Sequence, residues 1–80
     1  MVKEYTVTIG SEIFTRTGER ACIDRILYQE IYTDYADIEF IDDKGNYRHY
    51  KSSFDGGYIR IYNAFDLFGF PCSETVLQYN

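Results

Sequence analysis

From Tyr35 to Tyr50 apolar and polar residues alternate with a period of two, Ala36, Ile38 and Phe40 on one side and Asp37, Glu39 and Ile41 on the other. That is the spacing of a half-buried β-strand, whose successive side chains point to opposite faces. The run breaks at Asp43-Lys44-Gly45-Asn46, where Gly45 is able to take positive φ. It resumes with Tyr47 and His49 on one face and Arg48 and Tyr50 on the other. Residues 35–50 are predicted to form a hairpin.

The same period recurs on either side. "EYTVTIG" places Tyr5, Val7 and Ile9 opposite Thr6 and Thr8, and Gly10 ends the run. In "SEIFTRTGER", Ile13 and Thr15 lie opposite Phe14 and Arg16 before a turn at Thr17-Gly18. After a turn over residues 53–57, Ile59 and Ile61 alternate with Tyr58, Arg60 and Tyr62.

One segment allows two readings. In "RACIDRILYQEIYTDY", Ile23, Ile26, Leu27, Ile31 and Tyr35 lie near helical spacing and would form an amphipathic stripe. Against a helix stand the β-branched and aromatic residues of this span and the lack of a capping box at its start. Ala21 and Ile23 alternate, and the phase then slips by one to Ile26 and Tyr28, as in a strand carrying a bulge. The favoured reading is a bent strand over residues 20–28 with a loop over residues 29–34. The alternative is an α+β fold with one helix near residues 20–34.

Five or six short strands at turn spacing predict a small all-β antiparallel barrel or sandwich over residues 4–62. The remainder, "AFDLFGFPCSETVLQYN", breaks the rhythm with Phe65, Leu67, Phe68 and Phe70 ahead of Pro71. This apolar C-terminal extension, residues 63–80, is expected to pack across an open end of the barrel or to form an interface, a homodimer contact included.

Read together, "IGSEIFTRTGERACIDRI", "YADIEFIDDKGNYRHY" and "SSFDGGYI" resemble the small SH3-like, Tudor-like and KOW-like barrels, over about two thirds of the chain. The shared features are a glycine before the first barrel strand, a TGE-type turn into a small-residue strand, an acidic-Gly turn, and a Gly turn before the last strand. "DIEFIDDKGNYRHYKSSFDGGYI" looks like short barrel segments that recur in proteins of bacteriophages and mobile elements. The resemblance implies an SH3-like barrel and a binding role. The kind of partner does not follow, because such barrels bind peptides, nucleic acid or protein surfaces.

Charge narrows the partner. Thirteen acids against eight bases give a formal charge of −5, whereas non-specific binding to a phosphate backbone calls for a basic face. An anionic membrane is disfavoured for the same reason, and no apolar run approaches the roughly 20 residues that cross a bilayer. Cys22 and Cys72 form no CxxC and no secretory leader precedes them, so both are read as reduced, core-type thiols of a cytoplasmic protein. A Cys22–Cys72 disulfide is the other reading. If the chain is phage-encoded, the compartment is the bacterial host cytoplasm.

A catalytic site needs a nucleophile beside a base, paired carboxylates in a cleft, a metal cluster or a phosphate loop. His49 sits in mid-strand with no cysteine nearby, which is the place of a cross-strand neighbour rather than a general base. "DDKG" and "FDGG" lack the ligand ladder of a calcium loop, and Cys22, Cys72 and His49 have no zinc spacing. Gly56-Gly57 belongs to no phosphate-loop pattern. The chain is read as non-enzymatic, with no cofactor and no metal.

What remains is charge placement. Between Tyr28 and Asp43 there are six acids, Glu30, Asp34, Asp37, Glu39, Asp42 and Asp43, and no base, while Lys44, Arg48, Lys51 and Arg60 follow with only Asp55 among them. On the plain reading the hairpin arms pair with each other, Asp37 or Glu39 opposite Arg48. On the sharper reading the acids, interleaved with Tyr28, Tyr32 and Tyr35, form a surface for a basic cleft on a nucleic-acid-binding protein. Anti-CRISPR proteins and DNA mimics act in that way. The alternative is a recognition face for a peptide or nucleic acid made of Tyr47, Arg48, Tyr50, Lys51, Tyr58 and Arg60, where bases would stack on Tyr beside Arg.

Overall fold

The structure, a computed structural model, describes residues 3–72 and 74–78. Its strands are β1 (Glu4–Thr6), β2 (Glu12–Thr15), β3 (Arg20–Tyr32), β4 (Tyr35–Asp42), β5 (Tyr47–Lys51), β6 (Tyr58–Tyr62), β7 (Ala64–Asp66), β8 (Pro71–Cys72) and β9 (Thr75–Gln78). All pair antiparallel, and the sheet curls into a nearly closed barrel in which β9 comes against β4. No helix occurs among the described residues, which removes the α+β alternative. β2 to β5 run as a meander and β6 returns to pair with β2, as in a small SH3-like barrel.

The barrel turns its corner on β3. Its first residues pair with β2, and from Ile23 onward it pairs with β4. The register slips between Ile23 and Arg25 and again between Ile26 and Tyr28. Each slip inserts an extra residue, Asp24 and then Leu27, so the inward positions run Ala21, Ile23, Ile26, Gln29 and Ile31. Two bulges thus produce three-residue spacings that imitate a helical stripe, which is why the segment was ambiguous. The expected bulge is present. A second one turns Tyr28 outward, away from Ile26, and the strand runs to Tyr32 where a loop was expected; only Thr33 and Asp34 form the turn.

The core joins both halves of the barrel: Ile13, Ile23, Ile31, Ile38, Phe40, Ile59, Ile61 and Leu77 are almost wholly buried. Ring contacts add specificity, Phe40 meeting Tyr50 edge to face with centroids 5.6 Å apart. The cysteines are both free and half-buried rather than core residues. β1 ends at Thr6, so Ile9 sits in a turn and is exposed instead of sharing the face of Val7.

The C-terminal extension differs most from expectation. It is part of the sheet: β7 pairs with β1 and β8, and β9 pairs with β6. Alternation buries Ala64 and Asp66, and the Asp66 carboxylate accepts hydrogen bonds from the Phe68 and Phe70 amides. That pinned turn holds Leu67, Phe68 and Phe70 in solvent, while Phe65 is half-buried. Residues 73, 79 and 80 of the extension lie outside the described residues.

Candidate functional site: an acidic face lined with tyrosine

The outward side of β3, β4 and β5 is set by register. Tyr28 lies opposite Glu39, Glu30 opposite Asp37, and Tyr32 opposite Tyr35. On the other flank Glu39 faces His49, Asp37 faces Lys51, and Ile41 faces Tyr47. Because the side-chain period is two, these residues all share one face, with Ala36, Ile38 and Phe40 buried behind them.

The carboxylates on this face are held by the tyrosines. Tyr28 donates its hydroxyl to Glu30 at 2.6 Å, Tyr35 donates to Asp37 at 3.5 Å, and Tyr47 donates to Glu39. His49 Nε2 lies 2.7 Å from the other Asp37 oxygen, its ring edge to face with Phe54. Lys51 Nζ stands 6.0 Å over the Tyr35 ring. The hydrogen bond to Glu30 pushes the Tyr28 hydroxyl up to about 12, and the bond to Glu39 raises that of Tyr47. Both hydroxyls therefore stay protonated, as donors to fixed carboxylates, throughout the physiological range.

Of the nine residues predicted for this surface, Tyr28, Glu30, Tyr32, Tyr35, Asp37 and Glu39 share the face. Asp34 flanks it in the β3–β4 turn and Asp43 is exposed in the β4–β5 turn. Asp42 does not belong. It is buried, accepts hydrogen bonds from the Lys44 and Asn46 amides, and pairs with Arg48 Nε at 2.9 Å. Sequence reasoning left out Tyr47, His49 and Lys51 as members of the acidic face, although their alternation with Arg48 and Tyr50 was readable.

The expected pairing of Asp37 or Glu39 with Arg48 is absent. Arg48 lies opposite Phe40, on the other side of the sheet, and reaches Asp42 and, at 2.5 Å, Glu19. Glu19 also accepts from the Tyr50 hydroxyl at 3.1 Å, and burial with this nearby charge pushes that hydroxyl up to about 12.

The alternative recognition face is divided by the fold. Tyr47 and Lys51 belong with the acids, Tyr50 is buried, and Arg48 is engaged at the barrel end. Tyr58 and Arg60 lie on β6, where the guanidinium stands 5.5 Å from the Tyr58 ring centroid and pairs with Glu74 at 3.0 Å. Beside them Phe14 and Tyr62 make an edge-to-face pair.

Among the described residues no group of three or more His, Cys, Asp or Glu side chains could hold a metal ion. The face offers fixed negative charge and flat amphipathic rings, which suit binding to cationic groups. No protein-family model matches this chain, and no curated protein or solved structure is significantly similar to it.

Proposed function

We propose that this chain is a non-enzymatic binding protein that docks its acidic, tyrosine-lined face on a basic, nucleic-acid-handling surface of another protein. A phage-type inhibitor of the anti-CRISPR or DNA-mimic kind, working in the bacterial cytoplasm, fits this reading. One observation carries it: Glu30 on β3 and Asp37 and Glu39 on β4 lie side by side, their oxygens positioned by Tyr28, Tyr35, Tyr47 and His49. Carboxylates held in place lose little freedom on docking, and tyrosines supply contact area with few rotatable bonds. The chain's charge of −5 would speed encounter with a basic surface.

The test is capture from a bacterial lysate followed by titration of the recovered protein. Replacing Glu30, Asp37 and Glu39 together by Lys is expected to weaken binding by about 100-fold, through loss of three charge contacts and repulsion by their replacements. The circular dichroism spectrum should be unchanged, since the three side chains point away from the core. Recovery of no nucleic-acid-handling protein, or a partner that binds the triple variant as well as the wild type, overturns the proposal.

The arrangement on β6 favours a second reading, in which Tyr58, Arg60 and Tyr62 stack single-stranded nucleic acid. Fluorescence anisotropy with a labelled single-stranded oligonucleotide at low salt separates the two. Binding that is lost in Arg60→Ala and kept in the triple Lys variant supports the second reading; no binding removes it.

A further inference from the structure

At the far edge of the sheet from the acidic face, the β7–β8 hairpin presents Leu67, Phe68 and Phe70, which are 57%, 77% and 67% exposed. Beside it runs an open groove of about 450 Å³, lined by Ile9, Phe65 and Pro71 among others. Ile9 is itself 72% exposed. The hairpin is built rather than loose. Asp66 N donates to Phe70 O at 2.9 Å, Gly69 N to Asp66 O at 3.0 Å, and the Asp66 carboxylate meets Lys3 Nζ at 3.3 Å.

We propose that this hairpin and groove are a homodimer interface, in which Phe68 of each copy enters the groove of the other. Three features select a second copy. A knob and a hole on one patch are self-complementary under a two-fold axis, the condition for a closed dimer. The groove has room for a benzyl group, since a cavity of about 150 Å³ holds benzene. The patch is also uncharged apart from Asp66, which is buried and paired with Lys3, so two copies of an acidic chain meet here without like-charge repulsion. A basic partner would find nothing on it to attract, and an anionic membrane would be repelled by the rest of the chain.

Area sets the strength. The exposed parts of these side chains leave on the order of 500 Å² of apolar surface per copy, as large as the functional patches of monomers. Doubled by symmetry, this reaches the roughly 1,000 Å² at which specific interfaces begin, so the dimer is weak, with Kd on the order of 10 µM. It leaves both acidic faces free.

Sedimentation velocity over a range of concentrations around that Kd is the test. The wild-type weight-average mass should climb from that of one chain toward that of two. Phe68→Asp and Phe70→Asp should each raise Kd at least tenfold, and the triple Lys variant of the acidic face should dimerise as the wild type does. Dilution of the ¹⁵N-labelled wild type should move the amide signals of residues 64–72 and Ile9, a readout independent of how any variant folds. A chain that stays monomeric, a dimer indifferent to both Asp variants, dilution shifts elsewhere, or flotation of the monomer with neutral phosphatidylcholine vesicles each overturns the proposal.

Discussion

Phe40→Ala is expected to remove a large share of the chain's folding stability at 25 °C. Phe40 is completely buried, its ring set against Tyr50 and its neighbours drawn from both halves of the barrel. Truncation removes the transfer energy of the ring and leaves a cavity, together about 3–5 kcal/mol. A domain of this size is stabilised by about 4–12 kcal/mol in all. The urea midpoint, followed by far-ultraviolet circular dichroism, should fall steeply in Phe40→Ala. In Phe40→Leu, which keeps most of the volume, the loss should be about 1–2 kcal/mol. Because Asp37 and Glu39 stand on the opposite side of the same strand, Phe40→Ala should also lower apparent affinity for a partner, in proportion to the folded fraction. A loss below about 1 kcal/mol in Phe40→Ala would show that β4 does not face the core as described.

Asp42→Ala should lower the melting temperature by on the order of 10 °C, more than any substitution on the acidic face, because it leaves Arg48 with Glu19 alone and uncaps a turn. Asp42 holds Arg48 and also accepts from the Lys44 and Asn46 amides, so one carboxylate closes the β4–β5 turn and anchors β5. Asp42→Asn should lose less, since its carbonyl can still accept from the turn. The hydrogen bond from Arg48, then that from the Asn46 amide, holds the Asp42 carboxyl below its ordinary 3.8. A carboxyl that titrates lower folded than unfolded stabilises fully above pH 3.8, and that stabilisation is withdrawn as pH falls through the folded value. The gap in melting temperature between wild type and Asp42→Asn should therefore narrow from pH 7 to pH 3. Equal melting at pH 7 for wild type and Asp42→Ala would refute this role.

The two expectations separate scaffold from surface. Asp37, Glu39 and Asp42 sit on one eight-residue strand, yet two are half-buried binding candidates on the outward face and the third is buried structure. Alternation alone would have placed Asp42 with Ile38 and Phe40, on the inward side. Its membership of an acidic run hid this, because charge composition does not record which carboxylate a half-buried arginine will claim.

Local chemistry was enough for much of the fold. The strict alternation of residues 35–42, Gly45 at positive φ and the alternation of Tyr47 to Tyr50 define the β4–β5 hairpin with no help from the rest of the chain. The same holds for β2 and β6, whose buried Ile13, Ile59 and Ile61 were readable by period alone. So was the grouping of Tyr28, Glu30, Tyr32, Tyr35, Asp37 and Glu39, as far as their density along the chain suggested a surface.

Register and pairing over long range decided the rest. Two bulges in β3 exist because the strand must leave β2 and follow β4 around a corner, and their three-residue steps read as a helix in one dimension. Arg48 chose Asp42 and Glu19 because all three lie on the same side of the curled sheet, 29 positions separating the arginine from Glu19. Phe68 and Phe70 face water because Asp66 is drawn inward, beside a lysine near the other end of the chain. Side-chain period is a local property of a strand, and the sequence by itself determined it. Which residue faces which depends on closing the barrel, and only the tertiary structure decided that.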